Sequence, residues 1–276
     1  MAFPIYQVDA FTHIPYRGNP AAVLILDKMK PSDWMQKVAA EMNLSETAFV
    51  APNVDPFKRV WQLKWFTPAT EVELCGHATI ATAHVLFSEG YVKPNEPARF
   101  DTLSGELSAI KNTGSWIELN FPTSSLQDIT VPAEQVEAAI GTKPVAIKKA
   151  SFDQEFDWLI ELPSSQAVRD FKVDVTAIAK LGGRGVCITS QGGAEDNGKP
   201  DFVSRFFAPN VGVDEDPVTG SAHCYLSAYW AKKLNKTELT AHQVSSRGGT
   251  LKITLDGKRT KISGRAVTIF KGNLLK

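Results

Sequence analysis

Cysteine is scarce in this 276-residue chain: Cys75, Cys187 and Cys224 are the only three. The set is odd in number and lacks CxxC spacing. That argues against a disulfide framework and against a structural zinc site, and a reducing, cytoplasmic compartment is the expectation. Net charge is missing too. Thirty basic and thirty acidic side chains cancel, with no long run of one sign, so neither a nucleic-acid footprint nor a polybasic membrane patch is expected. No apolar run approaches the roughly 18 residues of a membrane helix. Residues 1–9 carry neither the basic region nor the small-residue cleavage site of a signal peptide. A GxGxxG turn after a strand and a P-loop are both absent, so no nucleotide cofactor is implied.

What the chain does contain is a repeat. Phe66-Thr67-Pro68 is followed by Gly76-His77-Ala78-Thr79, and Phe207-Ala208-Pro209 by Gly220-Ser221-Ala222-His223. Each copy is an aromatic, strand-like segment, a Pro-containing turn, an acidic stretch and a Gly opening an apolar helix. Gly76 and Gly220 lie 144 positions apart, and so do Gly105 and Gly249, which begin two similar stretches. One offset shared by two features points to an internal duplication into two similar domains, not a solenoid with periods of about 20–50 residues.

The first half reads as strands at residues 6–11, 21–26, 47–51 and 60–66, with a helix opening at Pro31-Ser32-Asp33. That helix carries apolar Trp34, Val38 and Met42 on one face, with Ala39 alongside. A second helix runs from Gly76 to about Ser88 and stops at Gly90. Three antiparallel strands follow, over residues 98–103, 106–110 and 116–121, and residues 122–125 read as a linker. The second half repeats the order, with strands over 156–162, 186–189 and 201–207 and helices over 174–181 and from Gly220 to about Leu234. The last strand, 265–270, could close either half.

The helix starts carry the first chemical expectation. The opening N–H groups of a helix lack intrahelical partners and sit at the positive end of its dipole. A Gly there admits close approach of an anion. Two such ends facing each other across a cleft would hold a small carboxylate; the plainer alternative is that Gly76 and Gly220 permit tight packing. Asp216, in Asp216-Pro217-Val218-Thr219-Gly220-Ser221, either caps the helix or lines the cleft, binding an ammonium or a proton in flight, with Ser221 bonding the ligand. His77 matches Ser221 in the other half. In a first helical turn its neutral form is expected, as a hydrogen-bonding acid or base. His13, His84, His223 and His242 form no ligand spacing, so no metal is expected.

Cys75 precedes Gly76 at a helix start, which is expected to lower a thiol pKa. The matching position is Thr219, so a racemase mechanism with opposed thiols lacks one partner, and Cys75 reads as a small buried residue. Glu46 stands between a helix end and an apolar strand, where partial desolvation raises a carboxyl pKa and suits acid/base work. The commoner case is a Glu facing solvent in a loop. The second half offers Gly185-Val186-Cys187-Ile188 at this point, without a carboxylate.

Four stretches together carry a resemblance: Val8-Asp9-Ala10-Phe11-Thr12 with Gly18-Asn19-Pro20-Ala21-Ala22-Val23; Ser45-Glu46-Thr47-Ala48-Phe49; Phe66-Thr67-Pro68 with Cys75-Gly76-His77-Ala78-Thr79; and Asp216 to Ser221. In these the chain resembles the PhzF-like family of phenazine-biosynthesis-type isomerases, within the diaminopimelate epimerase-like superfamily. The resemblance implies an α+β fold of two pseudo-symmetric domains, each a curved, largely antiparallel sheet around a central helix. It assigns residues 1–121 and the returning 265–276 to the first domain and 122–264 to the second. It implies Glu46 as the acid/base, His77, Asp216 and Ser221 as substrate contacts or proton relays, and the backbone at Gly76 and Gly220 as the carboxylate site. It adds Asn19 to the substrate-binding residues, and a homodimer as the assembly. The function expected is a cofactor-free isomerase shifting a proton within a small amino or hydroxy carboxylic acid. The alternatives are a racemase or epimerase using Cys75, and a non-catalytic metabolite-binding or scaffold protein.

Overall fold

Residues 20–25 form an unbroken apolar run, the pattern of a strand covered on both faces. In a computed structural model they belong to β2 (Asn19–Ile25), which lies antiparallel to β1 (Phe3–Ala10) and is buried except at Pro20. The structure describes residues 2–55, 59–93, 95–129, 133–152, 155–193, 196 and 200–275. The chain divides into two units: Met1–Phe121 with Ser263–Lys276, and Pro122–Ile262.

In the first unit, α1 (Ser32–Met42) leads from β2 to β3 (Glu46–Pro52), which pairs parallel with β2 and sets Ala21 opposite Glu46. Then come β4 (Trp61–Phe66), antiparallel to β3, and the short β5 (Glu71–Val72) folded back on it. After α2 (Gly76–Ser88), β6 (Ala98–Thr102) pairs parallel with β4, and β7 (Gly105–Lys111) and β8 (Ile117–Pro122) continue antiparallel. The strand Ala266–Leu274 pairs with β1 from Phe3↔Leu274 to Ala10↔Ala266.

α2 explains its own position. Its sequence is apolar on every side, and all but Gly76, His84 and Ser88 are buried, as a helix enclosed by sheet requires. It packs against β1, β2, β3 and the C-terminal strand. Its two buried threonines satisfy their hydroxyls on the preceding turn, Thr79 to the Cys75 carbonyl at 2.5 Å and Thr82 to that of Ala78 at 2.7 Å. α1 differs in part from its expected face: Met35, Val38 and Ala39 are the buried residues. Trp34 lies at the rim, edge-on to Phe3 and Phe49.

The second unit repeats the pattern. β9 (Leu126–Asp128) is followed by α3 (Ala133–Ile140), β10 (Ala146–Phe152), β11 (Glu155–Glu161), α4 (Ser165–Asp170), α5 (Val175–Lys180) and β12 (Gly185–Gln191). β13 (Phe202–Ala208), β14 (Val213–Asp216), α6 (Gly220–Leu234), β15 (Glu238–Gln243), β16 (Gly249–Asp256) and β17 (Arg259–Gly264) complete it. β9, β10 and β11 are antiparallel neighbours. β12 then pairs parallel with β11 and antiparallel with β13, while β15 pairs parallel with β13. This is the order and polarity of the C-terminal strand, β1, β2, β3, β4 and β6. α3, α4 and α5 cover β11, β12 and β13 through Val136, Val168, Ile178, Ile160, Ile188 and Val203. Residues 122–125 were expected as a linker; the division between the units falls between Phe121 and Pro122, and residues 123–125 connect β8 to β9 without secondary structure of their own. Among the described residues no helix is long and apolar enough to cross a membrane.

Gly18 sets the start of β2. Its φ is +69°, and a Cβ there would lie 2.1 Å from the main-chain oxygen of Ala10. Gly18→Ala is therefore expected to destabilise the protein by about 1–3 kcal/mol, read as a lower denaturant midpoint at unchanged m-value.

Candidate active site

The parallel pairing of β2 and β3 puts the start of each strand beside the first turn of α2. Four polar side chains meet there. Ser45 Oγ donates to Asn19 Oδ1 (3.4 Å), and Asn19 Nδ2 lies 3.2 Å from His77 Nδ1. His77 Nε2 lies 3.1 Å from Glu46 Oε2. With Asn19 donating to Nδ1, the neutral ring carries its proton on Nε2, the nitrogen turned to Glu46. Despite that distance, His77 Nε2 and Glu46 Oε2 are both buried atoms without an aligned hydrogen bond. Buried polar atoms of this kind are few in native proteins and mark places where another partner binds.

Cys75 joins the same cluster, with Sγ 3.6 Å from His77 Nδ1. Two expectations from the helix start are corrected here. Burial pushes the Cys75 thiol up, and the charge of Glu46 adds to the rise, so desolvation overrides the helix dipole. For His77, burial pulls the pKa down, but negative charge at Cys75 and Glu46 outweighs it and holds the imidazole well above its ordinary 6.5. The remaining histidines differ. His223 is a core residue, bonded to the Thr219 carbonyl at 2.7 Å and lowered by burial to about 4. His84 is lowered to about 4 by burial and by Lys111.

Glu46, Cys75 and His77 place a carboxylate oxygen, a sulfur and an imidazole nitrogen within 4.8 Å of one another, close enough to share one cation. The expectation of no metal rested on histidine spacing, which does not see this group, because its members come from β3 and from the turn into α2. A raised thiol weakens such a site, since the metal ligand is the thiolate.

In the second unit, Asp216 ends β14 and accepts the Thr219 hydroxyl at 2.5 Å. Gln243 staples this turn: its Nε2 donates to the Asp216 carbonyl (2.7 Å) and its Oε1 accepts the Thr219 N–H (2.9 Å). Ser245 Oγ donates to the Pro217 carbonyl at 2.8 Å. Gly220 and Ser221 open α6. Ser221 Oγ accepts from Arg184 Nη2 at 3.1 Å, and Arg184 is paired with Asp157. Neither α2 nor α6 has a side-chain cap, so the first amides of both remain suited to an anion.

The structure thus gathers Glu46, His77 and Asn19 around Gly76 in one unit, and Asp216, Gly220 and Ser221 in the other. Ser45, Arg184, Asp157 and Gln243 were overlooked. Arg184 carried a signal, since it stands between Gly183 and Gly185 at the head of a strand; Asp157 had none, being one of three acids in its strand, with Glu155 and Glu161.

The chain has two uncapped helix starts, one of them beside a carboxylate and an imidazole, and the relatives set the class as an isomerase. A family model described as phenazine biosynthesis-like protein matches residues 8–272. An uncharacterized isomerase of Halalkalibacterium halodurans is 45% identical over 275 residues, covering 100% of this chain and 99% of that one. A crystal structure of a PhzF-family phenazine biosynthesis protein from Enterococcus faecalis is 40% identical, covers 100% of both chains and superposes with a TM-score of 0.90. A probable proline racemase from Agrobacterium radiobacter shares the fold at a TM-score of 0.68 and 12% identity, covering 99% of this chain and 93% of that one. The chain belongs to the phenazine biosynthesis-like (PhzF-like) family, and its fold is the α+β, epimerase-like fold that the resemblance implied.

The raised His77 pKa has a definite sign. The stabilisation it brings is fully present below 6.5 and is lost as pH rises through the higher folded value. In NMR titrations of the imidazole, His77 is expected to titrate above 6.5 in the wild type and to fall when Glu46→Gln removes its negative partner. An unchanged His77 titration in Glu46→Gln would remove Glu46 as the cause.

Proposed function

We propose that the protein is a cofactor-independent isomerase that shifts a proton within a small amino or hydroxy carboxylic acid, with Glu46 as the acid/base. The observation that carries this reading is the buried, misaligned pair of Glu46 Oε2 and His77 Nε2, 3.1 Å apart. A substrate C–H or O–H presented to Glu46 would complete a hydrogen-bonding set that the protein alone leaves incomplete. His77 then holds the carboxylate in place and relays the proton, and Asn19 fixes the ring by its bond to Nδ1. The uncapped amides at Gly76 bind the substrate's carboxylate in the first unit; in the second, Gly220 and Ser221 open a helix start of the same kind, beside Asp216. Acid/base help of this kind contributes about 10²–10⁴-fold; oriented N–H groups and positioning supply the rest.

The contact of Cys75 with His77 at 3.6 Å favours a second reading, a racemase or epimerase in which the thiol moves the proton. The raised thiol pKa weighs against it. The two part company in D₂O. In an NMR screen of small amino and hydroxy acids, Glu46→Gln is expected to lower C–H exchange by about 10²-fold or more, while Cys75→Ala keeps most of it. Exchange that survives in Glu46→Gln and collapses in Cys75→Ala would reverse the assignment. Binding without any exchange would mark a metabolite-binding protein.

A further inference from the structure

The two units put different groups at one equivalent place. In the first, β3 pairs parallel with β2, Ala21 opposite Glu46, and the second residue of α2, His77, touches Glu46. In the second, β12 pairs parallel with β11, Asp157 opposite Gly185, and the second residue of α6, Ser221, touches Arg184. Where one unit presents a carboxylate at the head of a strand, the other presents a guanidinium one residue earlier.

Arg184 is held with unusual firmness. Its Nε and Nη2 make a fork on Asp157 at 2.9 and 2.5 Å, and Asp157 is fully buried and also accepts from Tyr225 Oη at 3.2 Å. Its guanidinium lies over the Phe206 ring, 5.5 Å from the centroid, and its own N–H donates to the Phe156 carbonyl at 2.8 Å. The flanking glycines are required by the same packing. A Cβ at Gly185 would meet Phe206 Cζ at 2.3 Å, and Gly183 combines a φ of +81° with the Phe156 oxygen at 2.7 Å. The Arg184 side chain nevertheless keeps 26% exposure. A planar, forked cation fixed on three sides is pre-organised to direct a neighbour.

That neighbour is the Ser221 hydroxyl. Because Arg184 Nη2 donates to Oγ, the oxygen serves as acceptor on that side and its own proton must be given elsewhere. Asp157 neutralises the charge of Arg184, so the contribution is directional and not a bare attraction. Resting on the reading of a carboxylate-binding isomerase, we propose that Arg184 is the positioning residue for carboxylate recognition: it turns Ser221 into an obligate donor toward the carboxylate of a small acid at the start of α6. The halves of the repeat have then specialised by charge, proton transfer at Glu46 in one and carboxylate recognition through Arg184 in the other.

The test uses binding, which does not require turnover. Acetate and benzoate, with ethanol and benzyl alcohol as neutral counterparts, are titrated into the ¹⁵N-labelled full chain by NMR. Ser221→Ala is expected to weaken the carboxylates about ten-fold and to leave the alcohols nearly unchanged, the loss of one hydrogen bond to a charged group. Ser221→Thr, which keeps the hydroxyl, restores binding. Arg184→Lys, which keeps a cation on Asp157 but cannot serve Asp157 and Ser221 from one plane, is expected to cost about as much. The double variant then loses little more than either single one, as coupled residues do. Additive losses, equal losses for acids and alcohols, or no carboxylate binding by the wild type would overturn the proposal. If Arg184→Lys does not fold, Ser221→Ala and Ser221→Thr decide it alone: carboxylate binding retained in the alanine variant overturns it. Glu46→Gln is titrated in parallel. Carboxylate binding that depends on Ser221 while exchange ignores Glu46 would sink the isomerase mechanism and leave the Arg184 assignment standing.

Discussion

The parallel pairing of β2 with β3 is the constraint from which the rest of the first unit follows. It sets Ala21 opposite Glu46, and so brings Asn19 and Ser45-Glu46, from opposite ends of a helical crossover, to one edge beside the first turn of α2. Parallel neighbours cannot be joined by a tight turn, and α1 supplies the crossover. The same arrangement in β11 and β12 delivers Asp157 and Arg184 to the start of α6. What differs between the units is the cargo at the strand heads, not the frame that carries it.

Much of the frame was legible in the residues. Gly76 and Gly220 do open helices; α2 is enclosed along nearly all its length, and α6 is largely buried up to its last turn, where Lys232 and Lys233 are exposed. The shared offset of 144 at Gly105 and Gly249 reappears as the first residues of β7 and β16. The short strand at Leu126 was not legible, because three residues are too few to show alternation. On α1, Val38 and Ala39 are buried as read, and Met35 joins them, while Trp34 and Met42 pack against the core from the rim.

In the site, residue types were easier to read than their states. Glu46 and His77 stood out by position and Asn19 came with the resemblance, and the three meet. Their protonation did not follow from the helix start, because a dipole at a helix end is worth about 0.3–1 kcal/mol, less than the desolvation of a buried thiol or a carboxylate 3.1 Å from an imidazole. The role of Arg184 could not be read from its place between two glycines, for another reason. Its meaning depends on Asp157 and Ser221, 27 and 37 residues away in sequence, and no local pattern joins them.

The pairing of β1 with residues 266–274 has a consequence for biosynthesis. Every strand of the second unit lies between these two segments, so the ribosome emits that unit whole before the partner of β1 appears. The strands of the second unit end with β17, before residue 266 is made. The sheet that carries Glu46 keeps an unpaired β1 edge throughout, a surface that attracts other strands. The sheet that carries Glu46 is therefore the last part of the chain to be closed.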